Sequence, residues 1–199
     1  MAYYHMDPET AGPFFRWVFI QRHCPLTIKP APPNFALISL LTCRLSLHDS
    51  LILNRPVVDV SLATVIGEEA DGCIVSTIEH VMSCLVGLAI DNVIIEIDGH
   101  ETPIMDGSAT LFTRKIREAG IVNQDAPRMY FVIKEPIILE ENGKSVKLYP
   151  WDKFTITYTI DFDHLAIGTQ TMTLDVTETT FEEEIARART FGFLQSWNT

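Results

Sequence analysis

The sequence has few basic residues and no long apolar run. Only 15 Lys and Arg stand against 26 Asp and Glu in 199 residues, a formal net charge of -11. A protein this acidic repels phosphate backbones and anionic membrane surfaces, so we expect no nucleic-acid partner. Its most apolar stretch, 35–47, is 13 residues long and contains Arg44. That is too short for a membrane-spanning helix, and we expect no transmembrane segment.

Cysteines are few and widely spaced. The four of them form no Cys-x2-Cys pair, and the chain is too long for a small disulfide-stapled scaffold. The first residues carry Asp7 and Glu9, where a signal peptide would be basic. The sequence therefore predicts a reduced, cytoplasmic protein.

The composition is that of a globular protein, with 47% hydrophobic and 21% charged residues. Asn142-Gly143 predicts a β-hairpin turn, because both residues tolerate positive φ. Thr177 is a candidate N-cap for a helix reaching about residue 186. Hydrophobic periodicity predicts further elements, namely helices over 76–90 and 108–119 and strands over 92–98 and 154–162.

The polar stretch 121–128 divides these elements into two groups. Each group contains strands and helices, which is typical of a sheet packed against helices. We therefore predict an α+β fold of two two-layer domains, 1–123 and 128–199, the second of them incomplete. Strand periodicity is not evident between residues 35 and 53.

Glu79 and His80 are adjacent near the start of the first predicted helix. A neutral imidazole can ligate zinc, and a neighbouring carboxylate can take a proton from a metal-bound water. The alternative is structural, because Ser76-x-x-Glu79 fits a capping box in which Glu79 bonds back to the helix start. Cys84 lies at ligand spacing from His80 but among apolar neighbours, so we expect it in the core.

Four separated motifs, in this order, resemble the UDP-3-O-acyl-N-acetylglucosamine deacetylases, which commit Gram-negative cells to lipid A synthesis. The motifs are 76–93, 103–109, 160–164 and 188–193. The resemblance implies a zinc (Zn2+) hydrolase that removes the N-acetyl group of its substrate. That substrate is a small molecule, an acylated UDP-amino sugar.

The resemblance implies roles for residues that match the family motifs. His80 would be a zinc ligand and Glu79 the general base. Thr190 would lie beside the zinc-bound water and help to hold the developing oxyanion. The implied substrate contacts are Lys144, Phe162 and Phe191.

These last residues also have structural interpretations. Thr190 could be a helix-end hydroxyl, Phe162 and Phe191 could be core aromatics, and Lys144 could be a solvated charge at a strand edge. Asp106 precedes a helix whose N-terminus it would stabilise. We therefore assign Asp106 a structural role.

The chain departs from the family pattern at both ends. The family takes two further zinc ligands from a His-x3-Asp motif and a general acid from a later histidine, and the sequence ends at Thr199 without them. This predicts a C-terminally truncated chain with exposed apolar surface in its second domain. A catalytically inactive fragment is thus the alternative to an active deacetylase. Residues 1–24 and 35–55 do not follow the family pattern. Our hypothesis for them is a compensated reading-frame shift or, in 35–55, a local error in the sequence.

Overall fold

The computed structural model describes residues 17–21, 24–32, 37–42, 57–68, 73–97, 99–128 and 130–192. These ranges contain both strands, in small sheets, and a few helices, which confirms the predicted α+β class. The strands are β1 (Trp17–Gln21), β2 (Cys24–Pro30), β3 (Leu37–Thr42), β4 (Val57–Asp59), β5 (Val65–Glu68), β6 (Cys73–Val75), β7 (Asn92–Ile97), β8 (Ile137–Glu141), β9 (Lys144–Leu148), β10 (Thr155–Phe162) and β11 (Gly168–Asp175). The helices are α1 (Glu79–Gly87), α2 (Thr110–Ala119) and the short α3 (Glu178–Thr180), which continues as a π-helical turn (Phe181–Ile185).

The first group of elements is built on a four-stranded sheet in the order β1-β2-β7-β3. Alternate residues of β7 are buried, and Val93, Ile95 and Ile97 are each at most 5% exposed. They join one apolar core with side chains of α1 and α2, among them Leu85 and Phe112. A half-buried strand is expected to alternate in this way. A second sheet, β4-β5-β6, lies beside this core and contributes Ile66 and Val75 to it.

Strand β3 corrects our interpretation of residues 35–53, in which no strand was evident. Leu37–Thr42 forms a strand that pairs parallel with β7. Its sequence, LISLLT, is a nearly continuous apolar run. A run of apolar residues without polar residues between them gives no period-2 signal, which is why no strand was evident here. The reading-frame hypothesis for this region stays a hypothesis.

Helix α1 begins three residues later than its periodicity predicts. Thr77 has a φ of 60°, a left-handed conformation that no residue of a right-handed helix adopts. The helix therefore starts at Glu79. Helix α2 ends at Ala119, and Gly120 follows with a φ of 90°, as the predicted glycine stop requires.

Two hairpins follow the polar stretch. β8 and β9 join through Asn142 and Gly143, whose φ angles of 49° and 76° confirm the predicted turn. β10 pairs with β11 along eight residues. Thr177 then caps α3, as predicted, in a reciprocal capping box with Thr180.

Both hairpins expose apolar side chains. On β8/β9, four side chains share one face and are between 44% and 66% exposed: Ile137, Leu139, Val146 and Leu148. On β10/β11, Tyr158 and Met172 face each other and are 68% and 47% exposed. Two-stranded sheets without a cover are only marginally stable in water. The division of the chain into domains at about residue 125 stays a prediction.

The segment after β11 packs back onto the first group of elements. Phe181 is 2% exposed and lies against Gly87 at the end of α1. Arg117 of α2 forms ion pairs with Glu178 and Glu182. Among the residues that the structure describes, no helix has both the length and the apolar character needed to cross a bilayer.

Candidate active site

Glu79 is the first residue of α1 and is half-buried. Its Oε2 accepts a hydrogen bond from the backbone N–H of Thr64, at 3.2 Å. The N-cap of the helix is Ile78, and no side chain caps it. The capping-box alternative for Ser76 and Glu79 is therefore wrong. Because Thr64 lies just before β5, a distant part of the chain orients this carboxylate.

His80 is half-buried beside Glu79 in α1. Within the described ranges, no three His, Cys, Asp or Glu side chains lie together in a way that could hold a metal ion. Zinc sites need about three protein ligands. The described residues thus offer His80 as one candidate ligand and do not form a complete zinc site.

Cys84, at ligand spacing from His80, belongs to the core as predicted. Its side chain is fully buried, and its Sγ lies 3.4 Å from Oγ1 of Thr113 on α2. Burial raises the pKa of the Cys84 thiol to about 11.

The chain just before α1 is held by the segment that precedes α2. Ser76 donates its N–H to the carbonyl of His100 at 2.9 Å, and Thr102 donates its N–H to the carbonyl of Ser76 at 3.0 Å. The Thr77 hydroxyl donates to Oε1 of Glu101 at 2.8 Å, while the Thr102 hydroxyl donates to the Thr77 carbonyl. These bonds hold a β-branched residue in the left-handed region, and such strained positions occur often at functional sites. Sequence reasoning missed this feature, because nothing local predicts it.

Thr190 is exposed in the irregular segment after the π-helical turn. Its backbone N–H donates to the carbonyl of Gly107 at 2.9 Å. Next to it, Nη2 of Arg189 lies 3.3 Å from Oδ2 of Asp106. The second and fourth family motifs therefore meet in the structure.

Asp106 also accepts hydrogen bonds at Oδ1 from the N–H and the hydroxyl of Ser108, at 3.2 and 2.8 Å. Partial burial acts to raise the pKa of this carboxyl, but the bonds from Ser108 and the charge of Arg189 outweigh it. The pKa of Asp106 therefore lies below its usual value. The Asp106 carboxylate is thus bound to Ser108 and Arg189, and its structural role stays a prediction.

Phe162 and Phe191 meet edge to face, with ring centroids 5.5 Å apart and an interplanar angle of 66°. This contact joins the third and fourth motifs. Phe162 is half-buried, but Phe191 is 59% exposed. The interpretation of Phe191 as a core aromatic is therefore wrong.

Lys144 lies at the turn end of the β8/β9 hairpin and is exposed, opposite Glu141. This hairpin forms a two-stranded sheet of its own. In the described part of the chain, therefore, no sheet connects the strand that carries Lys144 to the elements around Glu79. Its role in substrate binding stays a prediction.

An α+β fold with a carboxylate and an imidazole on consecutive residues at a helix start is a candidate site of the hydrolase class. Comparison with known proteins narrows this class to one family. The profile of the UDP-3-O-acyl N-acetylglycosamine deacetylases (LpxC) matches residues 18–199, and the chain belongs to this family. The resemblance carried by the four motifs is thereby confirmed.

Individual relatives agree with the family match. The chain is 42% identical over 170 residues to the UDP-3-O-acyl-N-acetylglucosamine deacetylase of Oleidesulfovibrio alaskensis, covering 85% of the chain and 55% of that protein. It is 43% identical over 170 residues to the enzyme of that name from Myxococcus xanthus, covering 85% of the chain and 54% of that protein. It is 47% identical over 139 residues to the enzyme of that name from Nitratidesulfovibrio vulgaris, covering 70% of the chain and 44% of that protein. The chain spans about half the length of these curated relatives.

Proposed function

We propose that this chain contributes Glu79 and Thr190 to a zinc-dependent deacetylase acting on UDP-3-O-acyl-N-acetylglucosamine, the committed step of lipid A biosynthesis. The relatives carry this activity in their names. The observation that carries the proposal is the position of Glu79, whose carboxylate is oriented by Thr64 and does not cap its own helix. The free, buried thiol of Cys84 is in keeping with a cytoplasmic setting, which we also propose.

The proposed reaction is hydrolysis of an amide. Water attacks the acetyl carbonyl, the C–N bond breaks, and acetate and the free amine of the sugar leave. Glu79 would take the proton from the attacking water, and general-base catalysis of this kind contributes about 10² to 10⁴ in rate. The Thr190 hydroxyl would donate to the oxyanion, and one such donor contributes about 10² to 10³.

Zinc dependence rests on the family resemblance. His80 is the proposed ligand, and two more would have to come from outside the described residues. When bound, zinc would polarise the substrate carbonyl and the attacking water. Because the described residues hold no complete zinc site, we derive no step of the reaction through the metal.

Lys144, Phe162 and Phe191 are the proposed substrate contacts. The edge-to-face pair of Phe162 and Phe191 presents aromatic surface, which suits an acyl chain. The exposed ammonium of Lys144 suits the anionic diphosphate of a UDP-sugar. This would give a strongly acidic protein a local cationic contact for its substrate.

The test of Glu79 and His80 uses a protein in which this chain continues into the C-terminal part of the Myxococcus xanthus relative. Glu79→Gln should slow acetate release by about 10² to 10⁴ with zinc content unchanged, because only the base is lost. His80→Ala should instead lower the zinc content. Glu118→Gln, an exposed carboxylate on α2, is the matched control and should behave as the parent. Full activity of Glu79→Gln would contradict the proposal.

Lys144→Ala in the same protein should raise KM or lower kcat/KM without changing the zinc content, since it removes a substrate contact. Lys147→Ala on the same strand, where the lysine is paired with Glu140, is the control. Unaltered kinetics for Lys144→Ala would make Lys144 a solvated surface charge.

The alternative, a catalytically inactive fragment, is tested with the 199-residue chain itself. We expect no acetate release above the Glu79→Gln background when zinc is added. Zinc-dependent turnover that this substitution abolishes would contradict the alternative.

A further inference from the structure

We propose that Asp106, Arg189 and the backbone of Gly107 position Thr190 relative to the start of α1. This inference rests on the proposed role of Thr190 in the deacetylase. A hydroxyl that stabilises a transition state must be held in place before the reaction, because ordering it during the reaction would cost part of its effect. Thr190 lies outside helices and strands, so this placement must come from contacts to other parts of the chain.

The first of these contacts is the hydrogen bond from the Thr190 N–H to the carbonyl of Gly107, which lies in a turn before α2. Met105 and Gly107 have φ angles of 56° and 81°, and the Gly107 N–H donates to the Ile104 carbonyl at 2.9 Å. The Asp106 carboxylate locks the turn from the other side through its two bonds to Ser108. Gly107 is buried. The carbonyl that receives the Thr190 N–H is thus fixed in position.

The second contact is the ion pair of Arg189 and Asp106. The two side chains are 68% and 32% exposed. Such pairs contribute little to the free energy of unfolding, with a median of about 0 to 1 kcal/mol. The pair lies one residue from Thr190, however, and it restrains the backbone on that side. Its removal should therefore loosen Thr190 locally without destabilising the core.

The turn is also linked to Glu79. Thr102, two residues before Ile104, is bonded to Ser76 and Thr77, which directly precede Ile78 and α1. The segment from Thr102 to Gly107 therefore contacts the helix start at one end and Thr190 at the other. The segment 102–107 therefore holds in place both the chain before Glu79, the proposed base, and Thr190, the proposed oxyanion donor.

The test measures amide hydrogen exchange in the 199-residue chain by NMR, which needs no enzymatic activity. Arg189→Ala should speed exchange of the Thr190 amide by about two- to fivefold, the range expected for losing an exposed ion pair. It should also increase rotamer averaging of the Thr190 side chain, seen in its three-bond couplings. Asp106→Asn keeps an oxygen for Ser108 but removes the charge, and it should have the same effect.

Two further variants separate positioning from a general structural role. Arg189→Lys retains the charge and should restore most of the protection, while Arg187→Ala removes an exposed arginine of the same segment and should change nothing. The amide of Leu85, buried in α1, should exchange at the parent rate in every variant. Equal Thr190 exchange in Arg189→Ala and the parent would overturn the proposal, as would equal acceleration at Leu85.

The proposed function can fail separately. The relevant protein is again the one in which this chain continues into the C-terminal part of the Myxococcus xanthus relative. If Thr190→Ala leaves its acetate release unchanged, Thr190 has no catalytic role. The exchange measurements would still decide whether Asp106 and Arg189 hold it in place.

Discussion

Replacing Gly87 with alanine tests how closely α1 packs against the π-helical turn. A Cβ atom at Gly87 would lie 2.2 Å from Cγ of Phe181 and 2.3 and 2.4 Å from its two Cδ atoms. Carbon atoms in favourable contact are about 3.5 to 4.0 Å apart. Phe181 is 2% exposed, so its ring cannot move away without disturbing the core. The added methyl group must therefore displace the ring or the helix by more than an ångström.

Two opposing effects determine the size of the change. Alanine is favoured over glycine in a helix by up to about 1 kcal/mol, and less at a terminal position such as this one. Overpacking a core costs about 1 to 3 kcal/mol, and expelling a buried phenylalanine approaches the 3 to 5 kcal/mol cost of deleting one. The steric effect is the larger of the two. We expect Gly87→Ala to lower the free energy of unfolding by about 2 kcal/mol.

The assay is chemical denaturation followed by far-UV circular dichroism. Ser83→Ala, one turn earlier on α1, is the matched control and should be at least as stable as the parent, because it adds no atom. The sharper comparison is Gly87→Ala in a Phe181→Ala background. With the ring absent, the same substitution should become neutral or stabilising. If Gly87→Ala is harmless in the parent, or equally costly in both backgrounds, the packing argument is refuted.

Two other predictions concern groups buried near the site. Because burial raises the pKa of Cys84 from 9.0 to about 11, the folded state holds its proton where the unfolded state loses it. The free energy of unfolding should therefore fall by up to about 1.4 kcal/mol per pH unit as the pH rises from about 9 to 11. Cys84→Ala should abolish this part of the pH dependence, and an unchanged profile would contradict it. Thr102→Val should cost about 1 to 3 kcal/mol in denaturation, because it leaves the Thr77 carbonyl without the donated hydroxyl. Thr157→Val, at an exposed cross-strand pair on β10, is its control, and an equal loss in both variants would refute the argument.

The local elements of this protein were predictable from sequence. The stop of α2 at Gly120, the Asn142-Gly143 turn and the Thr177 cap depend on the conformational preferences of a few neighbouring residues. The strand at β7 follows from its β-branched sequence, NVIIEI. The family was also predictable, since its motifs are short strings that can be recognised without knowing how they fold.

Contacts between distant parts of the chain were decided by the tertiary structure alone. Thr77 adopts a left-handed conformation because Glu101 and Thr102 bind it, and this sets the start of α1 at Glu79. The orientation of Glu79 by Thr64 excludes a capping box that its sequence fits well. β3 was missed because its sequence, LISLLT, lacks the alternation that identifies half-buried strands, and only its pairing with β7 shows it to be a strand.

In the candidate site, too, the sequence identified single residues, whereas the tertiary structure determined which of them meet. Sequence identified Thr190 and Asp106 separately, but it gave Asp106 only a local role at a helix start. Folding brings the Asp106 turn, 83 residues earlier in the chain than Arg189, against the segment that holds Thr190. Local propensity carries no information on such pairs. They form only when the packing of Phe181 and the surrounding core brings the two segments together.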